Sequence, residues 1–246
     1  MPDPLLPARP CAVIIPALNE AGNIRLLVEE VARTVAAQVI VVDNGSTDAT
    51  AGEAQAGGAR VVSEPRRGYG YACAAGFRAA VELGAEVVAF LDGDYSFLPA
   101  ELPAVLGPVL EERADLCLGS RWLGHIAPGA MPPQQRFGNW LAARLMNCLY
   151  GLRITDLGPY RAVRTDLLSR LQMQEMTYGW PAEMMVKAAC CTARIVEVPV
   201  SYHSRRAGRS KVSGTLRGTV LAARYILGVT LRYSRRHPIT YEGGNQ

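Results

Sequence analysis

Two aspartates separated by one glycine are the residues of this sequence whose types and spacing most clearly suggest chemistry. Asp92 and Asp94 follow the apolar run Val87–Leu91, and Gly93 between them permits a turn that can direct both carboxylates toward one ion. Hard divalent cations such as Mg²⁺ and Mn²⁺ prefer carboxylate oxygens, completed by substrate phosphates. The pattern therefore predicts a Mg²⁺ or Mn²⁺ site at Asp92 and Asp94, with a solvated turn as the simpler alternative.

Each of two earlier apolar runs also ends in a polar cluster. Pro16–Glu20 follows the first run, and Asp43–Asp48 follows the second. The Asp43 carboxylate could accept a hydrogen bond from a nucleotide base or a ribose hydroxyl, whereas Ser46 or Asp48 could simply cap the next helix. In open α/β sheets ligands bind beyond the carboxyl ends of the strands, so the three clusters are predicted to face one crevice.

A further candidate site is the basic segment Arg205–Lys211, with the sequence RRAGRSK. Small residues between the bases would allow several cations to converge on one diphosphate. Arginine can bind phosphate through two parallel hydrogen bonds, and lysine supplies a compact charge. The simpler alternative is a flexible, solvated surface loop.

The elements that must position these clusters are strands and helices that alternate in the first half of the chain. Apolar runs of strand length are separated by segments whose apolar residues recur at helical spacing. Strands that are apolar on both faces indicate a mostly parallel sheet covered by helices on both sides, and hence an α/β fold. The predicted strands are Cys11–Pro16, Val39–Asp43, Arg60–Glu64 and Val87–Asp92, and the predicted helices are Asn23–Ala37, Thr47–Ala56 and Tyr69–Leu83.

The pattern is less regular beyond residue 97. Pro199 places the last predicted strand at an edge or an end of the sheet, because proline cannot donate to a strand ladder. No repeat or clear linker occurs, so we predict one main domain over residues 1–214 and a C-terminal helix and tail over residues 215–246. The predicted elements here are helices Leu102–Glu112, Gln134–Tyr150, Pro181–Cys191 and Leu216–Tyr233, strands Asp115–Gly119 and Arg194–Val200, an extended segment Asp156–Arg164 and a loop Gly124–Pro133.

Composition narrows the class of protein. The chain has 246 residues, of which 49% are hydrophobic and 20% charged, as is typical of a folded protein with a sizeable core. It contains no apolar run long enough to span a membrane, and residues 1–10 do not resemble a signal peptide, so a cytoplasmic protein is expected. Its six cysteines have neither metal-ligand nor disulfide spacing, which indicates reduced, buried thiols.

Charge is unevenly distributed along the chain. Residues 1–123 hold 16 acidic and 9 basic residues, whereas residues 124–246 hold 6 acidic and 17 basic residues. The basic half indicates an anionic partner, which could be a phosphate, a nucleic acid or a membrane surface. Aromatic residues make up 7% of the chain and do not alternate with basic ones, which argues against a nucleic-acid-binding protein.

Several nucleotide-binding motifs are absent. Gly68-Tyr69-Gly70 follows the third predicted strand and lacks the third glycine of the dinucleotide fingerprint, and no P-loop motif occurs. A sugar nucleotidyltransferase would need a basic, glycine-rich loop after the first strand, but Pro16–Gly22 contains no Arg or Lys.

Seven sequence blocks, in this order and spacing, resemble the family-2 glycosyltransferases of the GT-A fold, and most closely the dolichol- and polyprenyl-phosphate sugar transferases among them. The resemblance covers roughly residues 11–214. The sequence departs from the family pattern at Asn44, where a second acidic residue is usual, and at Leu18, where an aromatic residue is common. The blocks are PALNE (16–20), DNGSTDAT (43–50), DGD (92–94), GSR (119–121), DLGPYR (156–161), EVPV (197–200) and RRAGRSK (205–211).

The resemblance implies roles for individual residues. Asp92 and Asp94 would hold the metal that bridges the donor diphosphate, with Gly93 giving access to the backbone. Asp94 and Arg205 would be catalytic. The residues implied to line the nucleotide base and ribose pocket are Pro16, Leu18, Glu20, Val41 and Asp43, and those implied to contact phosphate are Arg121, Arg205 and Lys211.

The implied reaction is inverting, metal-dependent transfer of a hexose from a nucleoside-diphosphate sugar of the GDP-mannose or UDP-glucose type. A metal with Arg205 and Lys211 would stabilise charge developing on the leaving diphosphate. The expected acceptor is polyprenyl phosphate, which needs no general base because its second pKa is about 6. A soluble hydroxyl acceptor is the alternative, and it would need a carboxylate base, for which Glu183 is the candidate. Sugar nucleotidyl transfer is less favoured.

The C-terminal helix Leu216–Tyr233 carries Arg217 and Arg224 on one stripe, beside a face that includes Leu227 and Leu231. Such a helix could lie on an anionic membrane surface, which would place the protein at the inner face of the cell membrane. The alternative is that it packs on the main domain or on a second subunit of a homo-oligomer.

Overall fold

The structure, a computed structural model, describes residues 9–206 and 216–234. The strands are β1 (Cys11–Ala17), β2 (Gln38–Asp43), β3 (Arg60–Ser63), β4 (Val87–Phe90), β5 (Leu116–Ile126), β6 (Arg161–Arg164) and β7 (Ile195–Tyr202). The helices are α1 (Ile24–Thr34), α2 (Thr50–Ala56), α3 (Tyr69–Glu82), α4 (Leu102–Leu110), α5 (Pro133–Tyr150), α6 (Thr165–Leu171), α7 (Trp180–Cys190) and α8 (Leu216–Ser234).

These strands form one sheet with the order β3-β2-β1-β4-β6-β5-β7. β1 pairs in parallel with β2 and β4, and β2 pairs in parallel with β3. β6 runs antiparallel to both β4 and β5, while β7 pairs in parallel with β5 at the edge of the sheet. The α/β fold with a mostly parallel sheet is therefore confirmed, as is the edge position of the strand that contains Pro199.

Alternate side chains of β1 enter separate apolar clusters on the two faces of the sheet. Ile14 belongs to the cluster that contains Met184 of α7, whereas Ile15 belongs to the cluster that contains Leu27 of α1. All four side chains are fully buried. Helices therefore cover both faces of the sheet. The polar residues that follow the strands lie beyond the carboxyl ends of those strands.

β5 continues beyond the predicted strand end at Gly119 and reaches Ile126. A register shift between Ser120 and His125 interrupts its pairing with β7. Gly124 lies in this stretch, and a Cβ atom there would overlap the backbone of Val200, so the close approach of the two strands requires glycine. The prediction of a loop starting at Gly124 was therefore wrong for its first residues.

Three other sequence predictions need correction. Helix α6 was not predicted, because its seven residues are too few to show a helical period clearly. The predicted extended segment Asp156–Arg164 contains a regular strand only over Arg161–Arg164. All six cysteines are free thiols, but the prediction that they are buried holds only for Cys11, Cys73 and Cys117, since Cys148 is exposed and Cys190 and Cys191 are partly exposed.

The C-terminal helix α8 packs against α5 and α7. Val229 and Tyr233 are buried in this contact, and the Tyr150 hydroxyl of α5 donates a hydrogen bond to the carbonyl oxygen of Thr230. One face of α8 therefore packs on the main domain, while Leu231 is 54% exposed. Within the described ranges, no helix combines the length and apolarity needed to cross a membrane.

Candidate active site

A cavity of about 360 Å³ opens at the carboxyl ends of β1 and β4. All three polar clusters contribute to its wall: Leu18 and Glu20 from the first, Asn44 from the second, and Asp92 with Asp94 from the third. The prediction that these clusters face one crevice is confirmed. The remaining lining residues are Pro16, Ala17, Arg67, Gly68, Tyr69, Ala72, Gly93, Thr177, Tyr178 and Arg205.

The guanidinium group of Arg205 joins two of these clusters. Its Nη2 lies 2.9 Å from Oδ2 of Asp94, and its Nη1 lies 3.1 Å from Oε1 of Glu20. The side-chain amide of Asn23 donates to Oε2 of Glu20 over 3.0 Å and so helps to orient that carboxylate. A cation from the segment after β7 thus meets carboxylates that follow β1 and β4.

A turn with unfavourable backbone geometry presents Asp94 to the cavity. Oδ1 of Asp94 accepts a 2.9 Å hydrogen bond from the backbone amide of Ser96. Tyr95 between them has a φ of +62°, a left-handed conformation that is costly for a bulky residue. The Ser96 carbonyl accepts a 2.9 Å hydrogen bond from the amide of His203, which ties the turn to the segment that carries Arg205.

Asp92 has fewer partners than Asp94. In the part of the chain that the structure describes, its carboxylate receives one long hydrogen bond, 3.4 Å from the Tyr69 hydroxyl. Burial, and then the neighbouring charge of Asp94, raise the pKa of Asp92 to about 7, although Arg205 and Arg121 act in the opposite direction. Two carboxylates in this arrangement favour the binding of a cation.

The carboxylate oxygens of Asp92 and Asp94 are suitable ligands for a hard divalent cation. Mg²⁺ and Mn²⁺ are commonly held by one or two carboxylates, and substrate phosphates and water complete the coordination. No group of three or more His, Cys, Asp or Glu side chains suited to a metal occurs among the described residues, so a cation here would need such further oxygen ligands. A Cβ atom at Gly93 would lie 3.3 Å from the Pro16 carbonyl oxygen, which shows how closely the turn packs on β1.

Asn44 has a structural role that accounts for the departure from an acidic pair. Its Nδ2 donates to the carbonyl oxygens of Glu64 and Arg66 over 2.9 and 2.7 Å, while its Oδ1 accepts from the Gly68 amide over 3.0 Å. An ionised aspartate could accept from Gly68 but would place an oxygen without a proton against the two carbonyl oxygens. Asn44 therefore anchors residues 64–68, which lead into the wall of the cavity.

Glu183, predicted as a candidate general base, does not line the cavity. Its side chain is 1% exposed and pairs with Nζ of Lys187 at 2.9 Å. Oε2 accepts hydrogen bonds from the amides of Gln174 and Glu175, and Oε1 accepts one from the Tyr233 hydroxyl at 3.0 Å. The catalytic assignment is corrected, because a carboxylate engaged by these donors in the interior is not placed to take a proton from a substrate.

Glu183 nevertheless supports one wall of the cavity. The amides that it binds belong to the segment 174–178, which contributes Thr177 and Tyr178 to the lining. The same segment packs tightly on the start of α3, since a Cβ atom at Gly68 or Gly70 would overlap the backbone of residues 175–176. Glu183 is therefore a positioning residue.

Three residues implied in donor binding are absent from the cavity lining. Val41 has no exposed surface and lies in the apolar core, so its assignment to the nucleotide pocket is corrected. Arg121 is 5% exposed and donates from Nε and Nη2 to Asp156, with both hydrogen bonds 2.7 Å long. Asp43 accepts a 2.9 Å hydrogen bond from the Ser46 amide, which is a turn contact.

Three side chains at the cavity were not identified from the sequence: Arg67, Tyr69 and Thr177. The Gly68-Tyr69-Gly70 segment lacks a dinucleotide fingerprint, but its two glycines after a strand also signal close packing beside a binding site. Lys211, which was predicted to contact phosphate, lies outside the described residues.

Comparison with known sequences gives extensive matches. The family model described as Glycosyl transferase family 2 matches residues 12–172. A Mycobacterium tuberculosis protein named as an uncharacterized glycosyltransferase is 37% identical over 210 residues, which span 85% of this chain and 93% of that protein. The undecaprenyl-phosphate mannosyltransferase of Micrococcus luteus is 32% identical over 222 residues, which span 83% of this chain and 88% of that protein.

A solved structure shares the fold. Glucosyl-3-phosphoglycerate synthase from Mycobacterium tuberculosis, in complex with Mn²⁺, uridine diphosphate and phosphoglyceric acid, aligns with a TM-score of 0.73. The alignment covers 95% of this chain and 81% of that one, at 24% sequence identity.

Proposed function

The chain belongs to glycosyltransferase family 2, and from this premise we propose that it transfers a hexose from a nucleoside-diphosphate sugar to polyprenyl phosphate with inversion at the sugar. The enzyme class and the GT-A fold agree with the expectations from the sequence. The observation that carries the proposal is the convergence of Asp92, Asp94 and Arg205 in one cavity at the carboxyl ends of β1 and β4.

Asp92 and Asp94 would hold Mg²⁺ or Mn²⁺ in the working enzyme. The structural relative described above was solved with Mn²⁺ and uridine diphosphate, and a further complex of it contains Mg²⁺. These complexes support a divalent cation at Asp92 and Asp94 in this chain. When bound, the cation would neutralise negative charge that develops on the leaving diphosphate.

Arg205 would bind the donor diphosphate beside these carboxylates. Its planar guanidinium can donate two parallel hydrogen bonds to phosphate oxygens, and Glu20 holds it at the cavity. Arg67 is exposed at the same cavity and would add a second positive charge. Lys211, in the same basic segment as Arg205, remains a predicted phosphate contact.

The nucleoside would bind at the ends of β1 and β2. Pro16 and Leu18 offer partly exposed apolar surface there. The Ser46 amide occupies Oδ1 of Asp43, but Oδ2 has no hydrogen-bond partner among the described residues. That oxygen would be able to accept a hydrogen bond from a ribose hydroxyl.

A phosphate acceptor suits the acid–base chemistry of this cavity. The carboxylates in its described wall are Glu20, Asp92 and Asp94; two of them pair with Arg205, and the aspartates would serve the cation. A phosphate monoester with a second pKa of about 6 is already ionised and can attack without a general base. The interior position of Glu183 argues against its use as the general base that a hydroxyl acceptor would need. The name of the Micrococcus luteus relative supports the same acceptor class.

A lipid-linked acceptor implies a peripheral enzyme at the inner face of the membrane. The outward side of α8, with the exposed residues Arg224, Leu231 and Arg232, is one candidate contact with lipid. The alternative use of this exposed side is contact with a second subunit.

Donor binding is tested by thermal unfolding of the full-length protein with UDP-glucose or GDP-mannose, each with Mn²⁺ or with EDTA. A ligand at 100 times its Kd stabilises the folded state by about 2.7 kcal/mol, so one of the donors should raise the melting temperature by several degrees when Mn²⁺ is present. The absence of any rise with either donor, or an equal rise in EDTA, would contradict the proposal.

A further inference from the structure

Five exposed apolar side chains of β5 and α5 lie outside the cavity, and the three aromatic ones, Trp122, Phe137 and Trp140, are here termed the aromatic face. The exposed fractions of the five are 40% for Trp122, 51% for Leu123, 62% for Phe137, 51% for Trp140 and 40% for Leu149. They account for five of the nine large apolar side chains that are exposed in the described residues. Concentration of such residues in one region indicates an interaction surface.

Two of these aromatic rings are in direct contact, and the third, Trp122, contacts an arginine. The rings of Phe137 and Trp140 have centroids 5.8 Å apart, and Cζ of Arg136 lies 5.9 Å from the centroid of the Trp122 ring. Trp122 and Trp140 also line one groove of about 610 Å³, together with Arg144. The face therefore combines the end of β5 with the outward side of α5.

The charge of this region is predominantly positive. No acidic residue occurs in the sequence between Asp115 and Asp156. Arg136, Arg144 and Arg153 are exposed in this interval, and none of the three forms an ion pair with another described residue. Apolar rings are thus surrounded by arginines whose charge is not neutralised by neighbouring carboxylates.

One carboxylate from β7 does approach the groove. Glu197 accepts hydrogen bonds from the amide and hydroxyl of Thr155 over 2.8 and 3.0 Å, and from the amide of Asp156 over 3.0 Å. These donors engage both of its oxygens, and a single carboxylate leaves the region basic.

We propose that the aromatic face docks the enzyme on the surface of an anionic lipid bilayer. Tryptophan and other aromatic side chains are favoured where lipid headgroups meet acyl chains, and arginines beside them attract anionic headgroups. A second copy of the chain fits this surface poorly. In a two-fold symmetric interface the same patch meets itself, so Arg136 and Arg144 would face like charges without carboxylates to neutralise them.

The aromatic face is connected to the region of the cavity through Arg121. Trp122 follows Arg121, whose charge acts on Asp92, and Thr155 in the groove precedes Asp156, the partner of Arg121. Docking through this face would therefore bring a membrane-held acceptor beside the donor. That use of the face rests on the proposed function, whereas the docking itself does not depend on the identity of the acceptor.

The test is co-sedimentation of the full-length protein with vesicles of equal parts phosphatidylglycerol and phosphatidylcholine, without donor or acceptor. The double variant Phe137→Ser/Trp140→Ser removes two side chains that are each more than half exposed, so it should fold normally. Its partition onto vesicles should fall at least about tenfold. The matched control Leu26→Ser/Leu83→Ser, which alters two exposed apolar residues elsewhere, should bind as the wild type does.

A second variant tests the charge. Arg136→Gln/Arg144→Gln should weaken binding to the mixed vesicles about tenfold, whereas Arg33→Gln on α1 should not. Unchanged vesicle binding by both double variants would overturn the proposal. It would also be overturned if the wild type failed to bind vesicles but self-associated, and the same substitutions abolished that association.

Transfer to polyprenyl phosphate is measured separately, in detergent. Vesicle binding without transfer would contradict the proposed function and leave the docking face supported. Transfer without vesicle binding would contradict the docking face and leave the proposed function supported.

Discussion

Arg205 donates from Nη2 to Oδ2 of Asp94 over 2.9 Å, and this ion pair joins the segment after β7 to the turn after β4. The side chain of Asp94 is 10% exposed and that of Arg205 is 25% exposed, so the pair is largely shielded from solvent. Both residues are assigned to the donor site, one to the cation and the other to the diphosphate. Each therefore compensates the charge of the other before a donor arrives.

Removal of the Asp94 carboxylate should stop the reaction without unfolding the protein. In Asp94→Ala, transfer should fall at least ~1000-fold, because charge on the leaving group would no longer be neutralised. The melting temperature should change by only a few degrees, since Arg205 keeps its contact with Glu20. The matched control is Asp166→Ala, at a side chain that is 51% exposed and remote from the cavity lining. If Asp94→Ala transferred sugar at the wild-type rate in the presence of EDTA, the assignment of Asp94 to the cation would be contradicted.

Loss of the Arg205 guanidinium should weaken donor binding. A hydrogen bond to a charged group contributes about 1.5–3 kcal/mol, so Arg205→Ala should lower the affinity for the nucleoside diphosphate by about 10- to 100-fold. Titration calorimetry in the presence of Mn²⁺ measures this change. Arg25→Ala, which removes an exposed ion pair with Glu29, is the control and should leave the affinity unchanged. Equal affinity in the two variants would show that Arg205 does not bind the donor.

Asn44→Asp should reduce both stability and donor affinity. The new carboxylate would face the carbonyl oxygens of Glu64 and Arg66, at a cost of about 1–3 kcal/mol and a melting temperature lower by about 3–10 °C. Gly68 and the cavity wall beyond it would shift, so donor binding should weaken as well. The control Asn147→Asp likewise replaces an amide donor that binds a backbone carbonyl, that of Ile154, while the hydrogen bond accepted from the Ile154 amide can remain, and it should lower stability alone. Wild-type donor affinity in Asn44→Asp would contradict the anchoring role.

Glu64 gives the stability a defined dependence on pH. Hydrogen bonding from Arg66 lowers the pKa of Glu64 from 4.5 to about 2, although burial acts in the opposite direction. A pKa lowered by folding means that ionised Glu64 stabilises the protein above about pH 4.5, and that this contribution is lost as the pH falls toward 2. Glu64→Gln should melt about 2–4 °C below the wild type near neutral pH, and the difference should shrink on acidification. A difference independent of pH would refute this role.

Much of the fold follows from local sequence pattern. β1, β4 and the four central residues of β2 are apolar because helices cover both faces of the sheet, and that pattern is visible without a structure. The convergence of polar clusters follows from the same topology. The antiparallel direction of β6 was not predictable in this way, because a four-residue strand carries no signal for the direction of its neighbours.

The site was predictable where a residue follows a strand and less so where tertiary packing decides. Asp92 and Asp94 were identified because they end an apolar run. Glu183 was misassigned because its partners, Tyr233 and the amides of segment 174–175, come near it only in the folded chain. Asn44 likewise appeared as a missing acid, and its role became clear only from the two carbonyl groups that it binds.

The central claim is tested most directly by incubating the full-length protein and Mn²⁺ with radiolabelled GDP-mannose or UDP-glucose, and with either polyprenyl phosphate or phosphoglyceric acid as acceptor. The account predicts that label from one donor passes into the organic phase with polyprenyl phosphate, and that Asp94→Ala and EDTA each abolish this transfer. The account would be contradicted if label appeared only on phosphoglyceric acid, and none passed into the lipid with either GDP-mannose or UDP-glucose.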